Sequence, residues 1–184
     1  VVIGVSQGGR GLDLNVWMEN AALAKAYTIA MTNYLDSPLS LKADHRLSLR
    51  VGDEKSMAAT KTFLAEMLVL GMLSEALSGS TKQIDFPVLA NMLEEVIALT
   101  PQINDLAGEL KTASTLFIIA RGVTLSIARE AECKLQESCF LNATAYAASD
   151  FRHGPLSLIE KGTKVLFLAP ADETLSDVSA LYEV

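Results

Sequence analysis

The 184 residues are half hydrophobic and one-fifth charged, with a formal net charge of −7, a balance that fills a sizeable core and fits one or two globular domains. The Lys and Arg residues are scattered rather than clustered, which argues against nucleic acid or an anionic membrane as partner. No run approaches the roughly 18 apolar residues of a membrane span, and the N-terminus lacks a basic signal region, so a cytoplasmic location is expected.

Val1-Val2-Ile3-Gly4-Val5 reads as a buried strand over 1–5, followed by the small turn Ser6-Gln7-Gly8-Gly9 and a helix near 12–25. A strand, a Gly-rich turn and a helix in that order converge backbone N–H groups on one point, which suits an anion. A tight turn without any ligand fits the same residues equally well. A strand at 27–32, a short helix near 38–42, a strand at 46–51 and a long helix near 56–78 follow, which is βαβ logic. Strands such as Thr28-Ile29-Ala30-Met31 and Leu116-Phe117-Ile118-Ile119-Ala120 are almost continuously apolar, as parallel strands covered on both faces are. His45, beside Asp44 at a strand start, reads as structural or surface.

The helix at 56–78 is apolar around most of its circumference, from Phe63 and Leu64 through Met67, Leu70, Met72 and Leu73, which predicts burial between layers or subunits. Ser56, Thr60 and Lys61 fall in its first turns; on spacing alone, N-capping by Ser56 is the preferred reading, with an anion site as the other. Gly79-Ser80 closes the helix, and two further helices near 85–99 and 102–112, parted by Thr100-Pro101, form a helical connector. The first pattern then returns: a strand at 115–120, the turn Arg121-Gly122-Val123-Thr124, a helix to about Cys139, a strand at 163–169, and a helical segment from Thr174. The expected fold is α/β, with two doubly wound, flavodoxin-like parallel-sheet subdomains at 1–80 and 114–184 and the connector at 81–113. The chain opens inside a strand and closes inside a helical segment, so both subdomains are expected to be truncated parts of a longer protein.

On the second long helix Glu130, Lys134 and Glu137 fall at i, i+4 and i+7, opposite Ala128, Ala131, Leu135 and Cys139; taken alone, this is a solvated, ion-paired face. Cys133 and Cys139 are six residues apart, a rise of roughly 9 Å that a disulfide does not span, and they read as reduced core thiols. His153 precedes Gly154-Pro155, so it is either a surface histidine or an imidazole held on a functional loop.

Five strings in order resemble the double sugar-isomerase (SIS) domain family: Ser6-Gln7-Gly8-Gly9-Arg10-Gly11-Leu12-Asp13-Leu14, Asp36-Ser37-Pro38-Leu39, Met57-Ala58-Ala59-Thr60-Lys61-Thr62-Phe63, Glu130-Ala131-Glu132-Cys133-Lys134-Leu135-Gln136-Glu137 and Arg152-His153-Gly154-Pro155. The resemblance spans nearly the whole chain. It is strongest to the isomerase half of glutamine:fructose-6-phosphate aminotransferase and to stand-alone isomerising glucosamine-6-phosphate deaminases.

That resemblance implies a sugar 6-phosphate held by Ser6, Gln7 and the turn backbone through Gly8, Gly9 and Gly11, with Ser56, Ala59, Thr60 and Lys61 closing over the sugar. It implies Glu137 as the base that moves a proton between C1 and C2, Lys134 beside it in the catalytic set, and His153 assisting ring opening. It further implies a homodimer with the site shared between subunits, and no metal or cofactor. The family usually has Ser at the place of Gly8 and Ser or Thr at Gly11, so weaker phosphate binding is expected; Gln136, Asn142 and Thr144 also depart from the usual Lys, His and Glu. Arg10, Asp13 and Ala58-Ala59-Thr60-Lys61 favour the deaminase-like branch. The aminotransferase half and a non-catalytic phosphosugar-binding module are the alternatives.

Overall fold

The computed structural model describes residues 1–79 and 84–182. The chain splits into two compact units, Val1–Leu89 and Ala90–Val184. Each carries a three-stranded sheet in which every pairing is parallel.

In the first unit β1 (Val2–Val5), α1 (Leu12–Leu23), β2 (Thr28–Thr32), α2 (Pro38–Lys42), β3 (His45–Ser48) and α3 (Lys61–Ser78) follow one another, and α4 (Phe86–Ala98) begins there. The strand order β1-β2-β3 steps in one direction. Side chains alternate between sheet faces, so Gly4 and its register partner Ala30 share one face. Met18 of α1, Leu39 of α2 and Ala43 just after it pack on Ala30 there. Close approach explains the glycine in β1, since a Cβ on Gly4 would lie 2.7 Å from Met18 Cε. Ser37 caps α2, its Oγ accepting the Ser40 N–H at 3.3 Å, with Pro38 at the first helical position, as the Ser-Pro sequence favours.

The second unit contains α5 (Thr100–Leu110), β4 (Thr115–Ala120), α6 (Thr124–Cys139), β5 (Asn142–Ala147), α7 (Ala148–Phe151), a 3₁₀ turn (Pro155–Leu158), β6 (Lys164–Phe167) and α8 (Leu175–Tyr182). Its order, β5-β4-β6, places successive strands on opposite sides of β4, which is the reversal of a doubly wound sheet. The continuous apolar run of β4 follows from burial on both faces. Leu116, Ile118 and Ala120 meet Ala128, Ala131 and Leu135 of α6, while Phe117 and Ile119 meet Phe151, Val178 and Leu181. Each fully buried Leu or Ile here contributes about 1.5–3 kcal/mol.

Several expectations are corrected. The long helix starts at Lys61 rather than 56, and residues 56–58 form a bend. Its apolar stripe is not core in this chain: Thr62 is its buried residue, whereas Leu64, Met67, Leu70 and Met72 are exposed. β3 begins at His45 and ends at Ser48, one residue before the expected start and three before the expected end of a strand at 46–51. Thr100-Pro101 opens α5 instead of parting two helices, because Pro in the first helical turn sacrifices no intrahelical hydrogen bond. β5 is absent from the sequence reading: Asn142-Ala143-Thr144-Ala145-Tyr146-Ala147 carries few bulky β-branched residues, and pairing with β4 makes it a strand. Cys133 is half-buried and Cys139 exposed, so neither is a core thiol. Ser80, the connector's start at 81–83, and residues 183–184 lie outside the described residues.

Candidate functional site

In the first unit the turn between β1 and α1 is tied down by its carbonyls. The Gln7 carbonyl accepts from Thr32 Oγ1 at 2.9 Å and from the Asn33 N–H at 3.1 Å. The Gly9 carbonyl accepts from the Leu39 N–H at 3.1 Å and from Asn15 Nδ2 at 3.2 Å, and the same amide reaches the Gly11 carbonyl at 2.7 Å. Ser6 Oγ accepts the Gly9 N–H at 3.1 Å, which leaves the hydroxyl proton to be donated elsewhere. Gly9 has φ of 62° and is buried. Gly11 is the N-cap of α1 and supplies no side-chain cap, so the first N–H groups of that helix have no intrahelical acceptor. Donors therefore gather at the C-terminal edge of a parallel sheet, where α/β folds bind ligands.

The segment at 56–61 is organised differently from its sequence reading. Ser56 is exposed in the bend and caps nothing; Thr60 is the N-cap of α3, without a side-chain hydrogen bond. Glu54 does the capping, its Oε2 accepting from the Thr60 N–H at 3.2 Å, the Thr62 N–H at 3.1 Å and Thr62 Oγ1 at 3.0 Å. The Thr62 N–H bond foremost, and with it the Thr60 N–H bond, the Thr62 hydroxyl bond and nearby Lys61, holds the Glu54 carboxyl below its ordinary value of 4.5. A carboxylate of the chain thus already occupies this helix end. Lys61 Nζ donates to the Asp53 carbonyl at 2.8 Å, and Ala59 is half-buried. Asn33 joins the two segments: beyond its bond to Gln7, its Oδ1 accepts from the Val51 N–H at 3.2 Å and its Nδ2 donates to the Gly52 carbonyl. Tyr34 Oη donates to Asp53 Oδ1 at 3.0 Å, and that bond raises the phenol above its ordinary value of 10.0.

In the second unit the apolar stripe of α6 packs on the sheet, and Glu130, Lys134 and Glu137 share the other side. Lys134 Nζ lies 2.8 Å from Glu130 Oε1 and 4.0 Å from Glu137 Oε2. The Glu130 hydrogen bond, more than any other contact, raises the Lys134 ammonium above its ordinary 10.5. The Glu137 side chain is 42% exposed, so within this unit its carboxylate is open to water. His153 is exposed on the turn after α7, its N–H donating to the Asp150 carbonyl at 3.0 Å. With Arg121, Ser149, Arg152 and Asp177 it lines a cavity of about 240 Å³, where Arg121 Nε pairs with Asp177 Oδ2 at 2.7 Å. Asn142 and Thr144, two departures from the family pattern, line a separate cavity of about 620 Å³ with Thr115 and Tyr146.

The structure therefore gathers Ser6, Gln7, Gly8, Gly9 and Gly11 in one turn, Lys134 and Glu137 on one helix face, and His153 on a different loop. Sequence reasoning missed Asn15, Asn33 and Glu54. Asn15 left one signal, a polar residue three positions before buried Met18 on the same helix face. Asn33 and Glu54 act across loops and left none.

The SIS domain family matches residues 1–76 and 109–184. A glutamine–fructose-6-phosphate aminotransferase [isomerizing] of Aeropyrum pernix is 35% identical over 183 residues, covering 94% of this chain and 30% of that protein. Among solved structures, the C-terminal domain of glucosamine-fructose-6-phosphate aminotransferase from Francisella tularensis superposes with a TM-score of 0.83 at 22% identity, covering 99% of this chain and 56% of the other. Glucosamine-6-phosphate deaminase of Thermotoga maritima does so with 0.75 at 20% identity, covering 99% and 57%. At these identities the two structures establish the fold. The chain spans under a third of the Aeropyrum protein's length. Among the described residues no helix is long and apolar enough to cross a membrane.

Proposed function

The chain belongs to the SIS domain family, and on that premise we propose that it is the sugar-phosphate-handling part of an aldose-ketose isomerase acting on a hexose or hexosamine 6-phosphate. The observation that carries this reading is the Ser6–Gly11 turn, which ties its own carbonyls into the fold and keeps the Ser6 proton and the α1 N-terminus for an anion. A dianionic phosphate matches such a cradle, because each N–H or O–H bond to a charged oxygen is worth about 1.5–3 kcal/mol. The domain division proposed with it is 1–80, 81–113 and 114–184.

Glu137 is the base in this reading. Its carboxylate takes the C2 proton of the open-chain aldose, and the C2–H electron pair forms the C1–C2 double bond as the C1=O π pair moves onto O1, which takes up a proton to give an enediol or enolamine; the carboxylate's proton then returns at C1 while the C2 hydroxyl or amine loses its proton and closes the C2=O or C2=N bond of the ketose or its imine. Lys134, 4.0 Å from Glu137, adds positive charge beside the carboxylate and the developing oxyanion. His153 assists ring opening, and a homodimer brings this loop to the partner's site. Thr60 and Lys61 join the sugar site only if it tolerates Glu54 at the same helix end. Two net reactions share the proton transfer, amino transfer to fructose 6-phosphate and deamination of glucosamine 6-phosphate. The 35% identity to the Aeropyrum aminotransferase favours the former; Arg10, Asp13 and the Ala58–Lys61 run favour the latter.

Incubating the full-length protein with fructose 6-phosphate or glucosamine 6-phosphate in deuterated water tests the proposal. Deuterium enters C1 or C2 at a rate that Glu137→Gln lowers by about a thousandfold or more, as expected for loss of a proton-transferring group with its geometry kept. Ammonia release marks the deaminase. Sugar-phosphate binding without exchange refutes the enzyme and leaves a binding module.

A further inference from the structure

Cys133 stands one turn before Glu137 on α6, and its thiol donates to Glu137 Oε1 across 3.4 Å. The other oxygen, Oε2, faces Lys134 Nζ at 4.0 Å, while that ammonium makes its shorter contact, 2.8 Å, with Glu130. The two oxygens of the candidate base are thus addressed by unlike groups, a neutral S–H on one and a shared cation on the other. An exposed glutamate on a helix samples several rotamers; one directional bond from the preceding turn selects among them. A thiol is a weak donor, so it orients the carboxylate while leaving its charge and lone pairs for a proton.

We propose that Cys133 is a positioning residue for Glu137, aiming its carboxylate during the proton transfer between C1 and C2. The inference rests on the reading of Glu137 as the base. The Glu137 hydrogen bond, then burial, raises the Cys133 thiol above its ordinary 9.0, which keeps the proton on sulfur near neutral pH. Its place on the helix also explains why this thiol is half-buried while Cys139, two turns further on, is exposed.

Two substitutions separate donation from packing. Cys133→Val removes the donor and keeps the side chain apolar; Cys133→Ser keeps a donor and loses the apolar character. In the deuterium-exchange assay on the full-length protein, Cys133→Val is expected to lower kcat by about five- to tenfold with KM within about twofold, the pattern of a lost orienting contact. Cys133→Ser stays within about twofold of the parent in both. The opposite order, Val active and Ser impaired, overturns the proposal in favour of packing, and equal activity of both overturns it outright. In a Cys139→Ser background the infrared S–H stretch of Cys133 moves to higher frequency with Glu137→Ala; an unmoved band disproves the contact. A parent protein that shows no exchange at all removes the reading of Glu137 as base and this role with it, whereas an active parent with an active Cys133→Val variant removes this role alone.

Discussion

Gly9 and Gly8 are adjacent, and the structure predicts opposite tolerance of a methyl group at them. Gly9 has φ of 62°, and a Cβ there would overlap Ser37 Oγ and lie 2.7 Å from Ser37 Cβ. The left-handed conformation costs an L-residue about 1–2 kcal/mol, and forcing a well-packed neighbour aside costs about 1–3 kcal/mol more. Ser37 has nowhere to yield, being fully buried with its Oγ capping α2. Gly9→Ala is therefore expected to destabilise the first unit by about 2–5 kcal/mol, a shift of about 1 M or more in the urea midpoint at an unchanged slope. Around Gly8 nothing lies within 4 Å of the added Cβ, so Gly8→Ala stays within about 0.5 kcal/mol of the parent. Trp17, the single tryptophan, sits in α1, so its fluorescence in a urea titration follows this unit. Equal midpoints for the two variants would refute the assignment of Gly9 as the sterically required residue of the turn.

The open space at Gly8 gives a second expectation: Gly8→Ser adds a hydroxyl to the turn proposed to hold the phosphate and is expected to tighten fructose 6-phosphate binding by about ten- to a hundredfold in calorimetry. Unchanged or weaker binding would place the phosphate away from Gly8. Acid stability gives a third. Because the folded Glu54 carboxyl lies below its ordinary 4.5, its contribution is complete above that pH and is lost as pH falls through the folded value. Trp17-monitored unfolding should show an acid-side loss of stability that is smaller in Glu54→Gln; an identical acid slope in the two proteins would show that Glu54 does not cap α3.

The strand-turn-helix order at 1–25, the continuous apolar run of β4 and the start of α2 were all legible from sequence, because period, composition and capping act over a few residues. β5 was not, since Asn142-Ala143-Thr144-Ala145-Tyr146-Ala147 becomes a strand by pairing with Thr115–Ala120. The start of α3 was misplaced for a similar reason. Ser56 looked like a cap by spacing, but Glu54 reaches past it to the Thr60 and Thr62 N–H groups, and a cap supplied from a preceding loop has no fixed spacing to read.

The residues by themselves determined that a turn of small residues lies between β1 and α1, open to an anion or to no ligand, and that Glu130, Lys134 and Glu137 share a helix face, since helix geometry makes i, i+4 and i+7 neighbours. Tertiary structure decided which groups those residues actually engage. Asn15 draws in the Gly9 and Gly11 carbonyls, Asn33 links the turn to the loop at 51–52, and the thiol of Cys133 turns to Glu137 rather than into the core. These contacts depend on rotamers and on loops brought together by sheet pairing, and a hydrogen bond lost over a fraction of an ångström is set by packing, not by spacing along the chain.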